Sequence, residues 1–344
     1  MHRNSGSSDT ATGSDDRRLM IDMREVGKTF GGHPVLVDMT LQVAAGEMFG
    51  LIGPSGSGKT TTMHLCCGHL RPTRGQVTVS GEQPTAFTAT TRRRLGYMPQ
   101  NFILYPDLTV YQNVAFAAGL YGMSERRCRG RIREVLELVE LGPAHTKTAR
   151  TISGGMQRRL ALAAMLVHDP HVLFADEPTA NLDPMLRAKL WDHFRQLAQR
   201  GRTLLITTQY IDEAEYCERV GLRFRGRLIA EGRPDALRRQ AFGGDMIDVT
   251  LADAVLPYIP ALAAVEDVRT VDVRQIDALR ITVDQADQAI PPILSTLTTA
   301  GAVIRSLAPY RPTFDEVFIR LIEQHRGARP PIGQIQTSAA AEGV

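Results

Sequence analysis

Lysine is scarce in this chain: of forty basic residues only Lys28, Lys59, Lys147 and Lys189 are lysines, an arginine bias of the kind a GC-rich genome imposes. Excess charge is missing too. Thirty-seven acidic residues leave a formal net charge of +3, whereas a chain that wraps nucleic acid carries clustered positive charge. No nucleic-acid partner is therefore expected. Cysteines number four; Cys66 and Cys67 are adjacent, Cys128 and Cys217 stand alone, and the spacing fits neither a zinc site nor a redox motif. They read as reduced thiols of a cytosolic protein. Long apolar runs are absent as well. The stretch Leu160 to Val167 is far short of the ~20 residues a membrane-spanning helix needs, so the chain is not expected to cross a bilayer by itself. Residues 1–18 lack the apolar segment of a signal peptide and read as a disordered leader. With 43% hydrophobic residues over 344 positions, the remainder can build two cores.

From about Leu19 to residue 240, short apolar runs alternate with helical patterns, the mark of an α/β core with a largely parallel sheet. Met48 to Ile52, Val172 to Ala175 and Thr203 to Thr207 read as buried strands. Between about 102 and 165 the pattern turns helical; Ile132, Val135, Leu136, Val139 and Leu141 share one stripe. After a linker at Ala241 to Gly244 the texture changes. Strands are expected near Met246 to Leu251, Val268 to Val273, Leu279 to Val283 and Val303 to Pro309, with a helix across Ala286 to Ala300. Thr313 reads as the N-cap of a last helix in which Val317, Phe318, Leu321 and Ile322 share a face. Residues 245–325 are thus expected to form a small α+β unit. The residues from 326 to 344 read as a disordered tail.

Gly53-Pro54-Ser55-Gly56-Ser57-Gly58-Lys59-Thr60 fits the P-loop pattern and lies between a predicted strand and a predicted helix, as its mechanism requires. A merely flexible turn is the bland alternative. Glycines let the backbone approach phosphate oxygens, and successive N–H groups with the helix N-terminus supply partial positive charge. Lys59 would reach the β and γ phosphates of ATP, and Thr60 would hold magnesium. Asp176 and Glu177 follow the run Val172 to Ala175, at the strand edge where open α/β sheets bind ligands. Asp176 is then placed to hold the metal and Glu177 to take a proton from the attacking water.

With these residues in this order, the run from Phe30 to about Ala236 resembles the nucleotide-binding cassette of ABC transporters. The resemblance implies a P-loop NTPase fold: a mostly parallel core sheet, antiparallel N-terminal strands and a helical insert. Ile152-Ser153-Gly154-Gly155-Met156 is similar to the family signature, with Met156 where glutamine is usual. Ser153, Gly154 and Gly155 would then grip the γ-phosphate held by a second, head-to-tail copy of the cassette. Gln100 matches the glutamine loop that senses metal and attacking water. Thr61 follows the P-loop threonine among the nucleotide contacts. Phe30 falls where an aromatic stacks on adenine, with a plain core phenylalanine as the alternative. Asp183 matches the loop that meets the partner cassette. Gln209 replaces the usual switch histidine, a neutral amide that donates a hydrogen bond but does not titrate near neutral pH.

Leu104 to Val110, Thr208 to Glu215 and Pro312 to Phe318 look most like the branch that exports drugs, lipids or polysaccharides. A separately encoded polytopic permease is then implied, with this chain peripheral on the cytoplasmic face of the membrane. An importer cassette with a sensing domain stays open, as do a soluble ATPase of ribosome or repair complexes and a regulator without turnover. No phosphate-binding constellation is found beyond Gly243, so a truncation after Ala241 is expected to keep nucleotide binding.

Overall fold

The computed structural model describes residues 18–101 and 103–327; the expected leader, apart from Arg18, and the expected tail from 328 onward lie outside the described residues. β1 (Leu19–Phe30) pairs with β2 (His33–Ala44) and with β4 (Arg74–Val79) in a three-stranded antiparallel sheet. A six-stranded sheet has the order β5–β6–β7–β3–β8–β9. Its strands are β3 (Met48–Ile52), β5 (Leu95–Met98), β6 (Val172–Asp176), β7 (Thr203–Thr208), β8 (Arg219–Phe224) and β9 (Arg227–Gly232). The first five are parallel and β9 closes the edge antiparallel to β8. This is the mixed, mostly parallel α/β architecture expected from the sequence.

The unbroken apolarity of the central strands has a simple cause: both faces are covered. Met48 and Ile52 of β3 join one core with Leu173, Ala175, Leu204 and Ile206, while Phe49 and Leu51 join the other with Val172, Phe174 and Leu205. α1 (Lys59–Cys66) and the short α2 (Ala89–Arg92) precede the insert, which contains α3 (Val110–Leu120), α4 (Glu125–Leu138) and α5 (Gly154–Leu166). Ile132, Val135 and Leu136 form the buried stripe of α4, and Thr109 opens α3 through a capping box with Gln112. α6 (Pro184–Gln199) and α7 (Pro234–Phe242) complete this part. The first core also holds the helices of the insert with α6 and α7, while Met63, Leu65 and Cys66 of α1 join the second.

A third core belongs to the four-stranded antiparallel sheet β11–β12–β10–β13, built from β10 (Asp245–Leu251), β11 (Val268–Gln275), β12 (Ala278–Val283) and β13 (Ile304–Tyr310). α8 (Ile259–Ala263) and α9 (Ala286–Thr299) pack on it. The last helix, α10 (Phe314–Gly327), goes elsewhere. Thr313 and Glu316 cap it reciprocally, the Glu316 carboxylate accepting from Thr313 N at 2.8 Å. Its stripe Phe314, Val317, Phe318 and Leu321 is buried in the first core, that of the larger part, against α7 and β9. The sequence reading groups this helix with the small unit; its apolar face instead completes the first core. Arg311 donates to Glu215 (3.1 Å) and Asp235 (3.0 Å), and Arg238 to the Pro312 carbonyl (3.1 Å), pinning the returning chain.

The cut after Ala241 therefore removes more than an appendage. Uncovering four buried apolar side chains costs about 1.5–3 kcal/mol each. A chain ending at Arg311, which keeps the small sheet and loses only α10, is expected to unfold roughly ten degrees lower or more in thermal denaturation. An unchanged midpoint would show that α10 contributes nothing to the larger core.

Candidate functional site

β3 runs parallel between β7 and β8 and is buried at all five positions, so the chain leaves the C-terminal edge of the sheet from a rigid strand. The loop Gly53 to Gly58 follows, and α1 starts at Lys59. Two glycines are obligatory here. A Cβ on Gly53 would lie 2.3 Å from the Arg223 carbonyl oxygen; Gly58 sits at φ +95° with Val35 O 3.0 Å from the same position. Lys59, 4% exposed, folds back on its own loop: Nζ donates to Gly53 O at 2.8 Å and Pro54 O at 3.2 Å and stands 3.2 Å from Glu177 Oε1. Ser57 Oγ is buried without a hydrogen-bond partner.

Asp176 ends β6 and is fully buried. One carboxylate oxygen accepts from the Thr207 hydroxyl, while Oδ2 is buried with no partner. A buried, unsatisfied carboxylate oxygen is costly unless something cationic meets it. Glu177 lies at φ 48°, in the left-handed region that non-glycine residues rarely occupy. Its N–H is held by the Thr207 carbonyl (3.1 Å) and hydroxyl (3.0 Å). The turn directs the side chain between Lys59 and Gln100, whose Nε2 donates to Oε2 at 3.0 Å. Strain of this kind is concentrated at working sites.

Arg158 escaped sequence reasoning. It lies in α5 behind the signature-like residues, 7% exposed. Nε donates to Pro178 O at 2.7 Å, Nη1 to Gln100 O at 2.8 Å and Nη2 to the Glu177 carbonyl. One guanidinium thus ties α5 to the acidic turn and to the Gln100 segment. The only signal in the sequence is a charge inside the apolar side of Gly154 to Leu166.

The remaining candidates divide. Thr60 and Thr61 are half-buried in the first turn of α1. Phe30 is 43% exposed, with Lys28 Nζ 4.9 Å from its ring centroid, so it is not a core phenylalanine. Gln209 is exposed in the turn after β7. Ser153 N-caps α5, accepting from Met156 N at 3.3 Å, and Asp183 N-caps α6, accepting from Leu186 N at 3.0 Å. Ser153 is thus engaged with its own helix and not with the Gly53 to Lys59 loop of the same chain. Gly155 packs closely; a Cβ there would lie 2.7 Å from Leu186 Cδ1. His168 stacks on Tyr121 with ring centroids 3.5 Å apart and bonds Leu95 O at 2.9 Å, while His171 is exposed, so the two do not form a metal pair. Among the described residues no group of three or more His, Cys, Asp and Glu could close around a metal. A divalent ion at Asp176 would complete its shell from phosphates and water, as magnesium does.

Residues 36–180 match the family described as ABC transporter, and residues 232–322 the one described as ATP-binding protein DrrA1-3-like, C-terminal domain. The chain is 40% identical over 240 residues to the probable multidrug ABC transporter ATP-binding protein YbhF of Escherichia coli, an alignment covering 70% of this chain but only 42% of that protein's length. It is 38% identical over 313 residues to the daunorubicin resistance ATP-binding protein DrrA3 of Streptomyces coeruleorubidus, covering 90% of this chain and 98% of that one. Among solved structures it resembles the dimeric bacterial ABC transporter cassette MJ0796, with a TM-score of 0.58 and 29% identity over 62% of this chain and 98% of the other.

Proposed function

This chain belongs to the ATP-binding cassette family of ABC transporters, and we propose that it is the ATP-hydrolysing subunit of an exporter for drugs or other hydrophobic, lipid-like compounds. The observation that carries the reading is the meeting of Lys59, Gln100 and Glu177, from three distant parts of the chain, beside the loop Gly53 to Gly58. The backbone N–H groups of that loop bind phosphate oxygens. Lys59 exchanges the Gly53 and Pro54 carbonyls for the β and γ phosphates. Phe30, already exposed, stacks on adenine. Thr60, Gln100 and Asp176 are the residues to hold magnesium, which when bound would neutralise charge on the β and γ phosphate oxygens. Glu177, released from Lys59, accepts the proton of the attacking water. Gln209 donates a hydrogen bond to the γ-phosphate.

Two copies close head to tail, Ser153, Gly154 and Gly155 of one on the nucleotide of the other. In support of this composite site, Ser153 faces its own helix cap within a single chain, and the similar MJ0796 cassette was solved as a dimer. The exporter reading draws on the printed name of DrrA3 and on the DrrA-type C-terminal match. No described helix is long and apolar enough to cross a membrane. The pathway is therefore assigned to a separate polytopic permease, which holds this chain on the cytoplasmic face.

Purified chain should release phosphate from MgATP, and tagged chain should recover a polytopic membrane protein of about six spans from its native membrane. Recovery of ribosomal or repair complexes in its place would favour a soluble ATPase. In the same assay Gln209→Ala should lower turnover by roughly tenfold with little change in nucleotide affinity, because its contact counts mainly in the transition state. Its pH profile should match that of wild type, since an amide does not titrate. Absence of phosphate release with and without the permease would overturn the reading.

A further inference from the structure

Arg223 lies in β8 within the otherwise apolar run Val220 to Phe224 and is 0% exposed, the second-largest fully buried side chain after Trp191. No carboxylate pairs with it among the described residues, and burial pushes its guanidinium down to about 10. A buried charge without a counter-ion is expensive. Its surroundings explain what it can do. Nε donates to the Ser57 carbonyl at 3.1 Å. Nη1 donates to Thr62 Oγ1 at 3.0 Å, and the Thr62 hydroxyl in turn donates to the Gly58 carbonyl at 3.0 Å. Nη2 is buried without an acceptor, 3.0 Å from where a Cβ on Gly58 would stand. The guanidinium therefore lies directly behind the phosphate loop and engages two successive carbonyls of it, one directly and one through Thr62.

In a trans peptide the C=O and N–H point in opposite directions. The peptide groups of Ser57–Gly58 and Gly58–Lys59 thus have their carbonyls drawn toward Arg223 and their N–H groups turned away from it. A charged donor on a carbonyl polarises the whole amide and strengthens the bond made by its N–H, since chains of hydrogen bonds reinforce one another. We propose that Arg223 is a positioning residue for nucleotide: from behind the loop it orients and polarises the Gly58 and Lys59 amides that bind phosphate oxygens, and the polyphosphate supplies the missing counter-charge. The inference rests on the phosphate-binding role given to the loop above.

Titration calorimetry with MgADP on wild type, Arg223→Met, Thr62→Val and the double variant tests it, with thermal unfolding of the unliganded proteins alongside. Arg223→Met should bind MgADP about tenfold more weakly, the size expected for one charge-assisted hydrogen bond, while its unliganded midpoint stays level or rises because a lone buried charge is gone. Thr62→Val should weaken binding about threefold. The double variant should bind no worse than Arg223→Met, since the Thr62 arm only relays Arg223. Equal affinity in wild type and Arg223→Met overturns the role, as does an affinity loss matched by a lower unliganded midpoint, which assigns Arg223 to packing alone. If Arg223→Met does not fold, Thr62→Val decides: weakened binding at an unchanged midpoint supports the relay, and unchanged binding overturns it. A wild-type chain that binds no MgADP overturns the phosphate site and this role together, whereas binding by wild type with undiminished binding by the variants overturns the role alone.

Discussion

Lys59→Ala should lower MgATP turnover by on the order of a hundredfold or more, the usual consequence of losing one preorganised charge aimed at the reacting group. In the structure Lys59 Nζ has three partners within 3.2 Å, two loop carbonyls and Glu177, and hardly any exposure. These partners hold the ammonium beside the loop until phosphate oxygens take their place. Alanine removes the charge and also leaves Glu177 buried without its ion pair, and breaking a buried pair costs about 3–5 kcal/mol. The variant should accordingly unfold at a lower temperature as well as turn over slowly. Comparing phosphate release with the thermal midpoint separates the two effects: wild-type turnover in a folded Lys59→Ala protein would refute the phosphate assignment.

Glu177→Gln should nearly abolish hydrolysis, by about a hundredfold to ten-thousandfold for a lost general base, while leaving the fold intact. The geometry favours this outcome. A glutamine oxygen can still accept from Lys59, and the Gln100 amide can turn so that its oxygen faces the new NH₂; the backbone contacts of residue 177 to Thr207 are unaffected. With hydrolysis blocked and binding preserved, ATP should hold two copies together. Sedimentation at saturating MgATP should then show a dimer that wild type populates only briefly. A Glu177→Gln chain that stays monomeric with its permease present would remove the support for Ser153 acting across two chains.

The parts of this site that the sequence makes legible are local ones. Gly53 to Thr60 declares itself because a strand, a tight loop and a helix follow within a few residues, and Asp176 and Glu177 because they end an apolar run. What each side chain meets depends on sheet order, which brings residues more than a hundred positions apart into contact. Arg223 is such a case: β8 lies beside β3, so a residue that reads as an anomaly in an apolar strand stands behind Ser57. Arg158 depends on tertiary packing at shorter range, a charge on a helix whose three acceptors, 19, 20 and 58 positions away, come from two separate loops. Periodicity likewise gave the buried face of α10 correctly but not its destination, because a stripe specifies that something covers it and not which core does.

That destination matters while the chain is being made. The groove that receives Phe314, Val317, Phe318 and Leu321 is ready once α7 and β9 are in place, but residues 243–313 must be synthesised before the helix that fills it. At ordinary rates of translation this interval is on the order of ten seconds. Throughout it the nascent protein carries an open apolar trough on an otherwise folded body, so its exposure to chaperones and to neighbouring chains is set by the clock of the ribosome and by how quickly the intervening sheet folds out of the way.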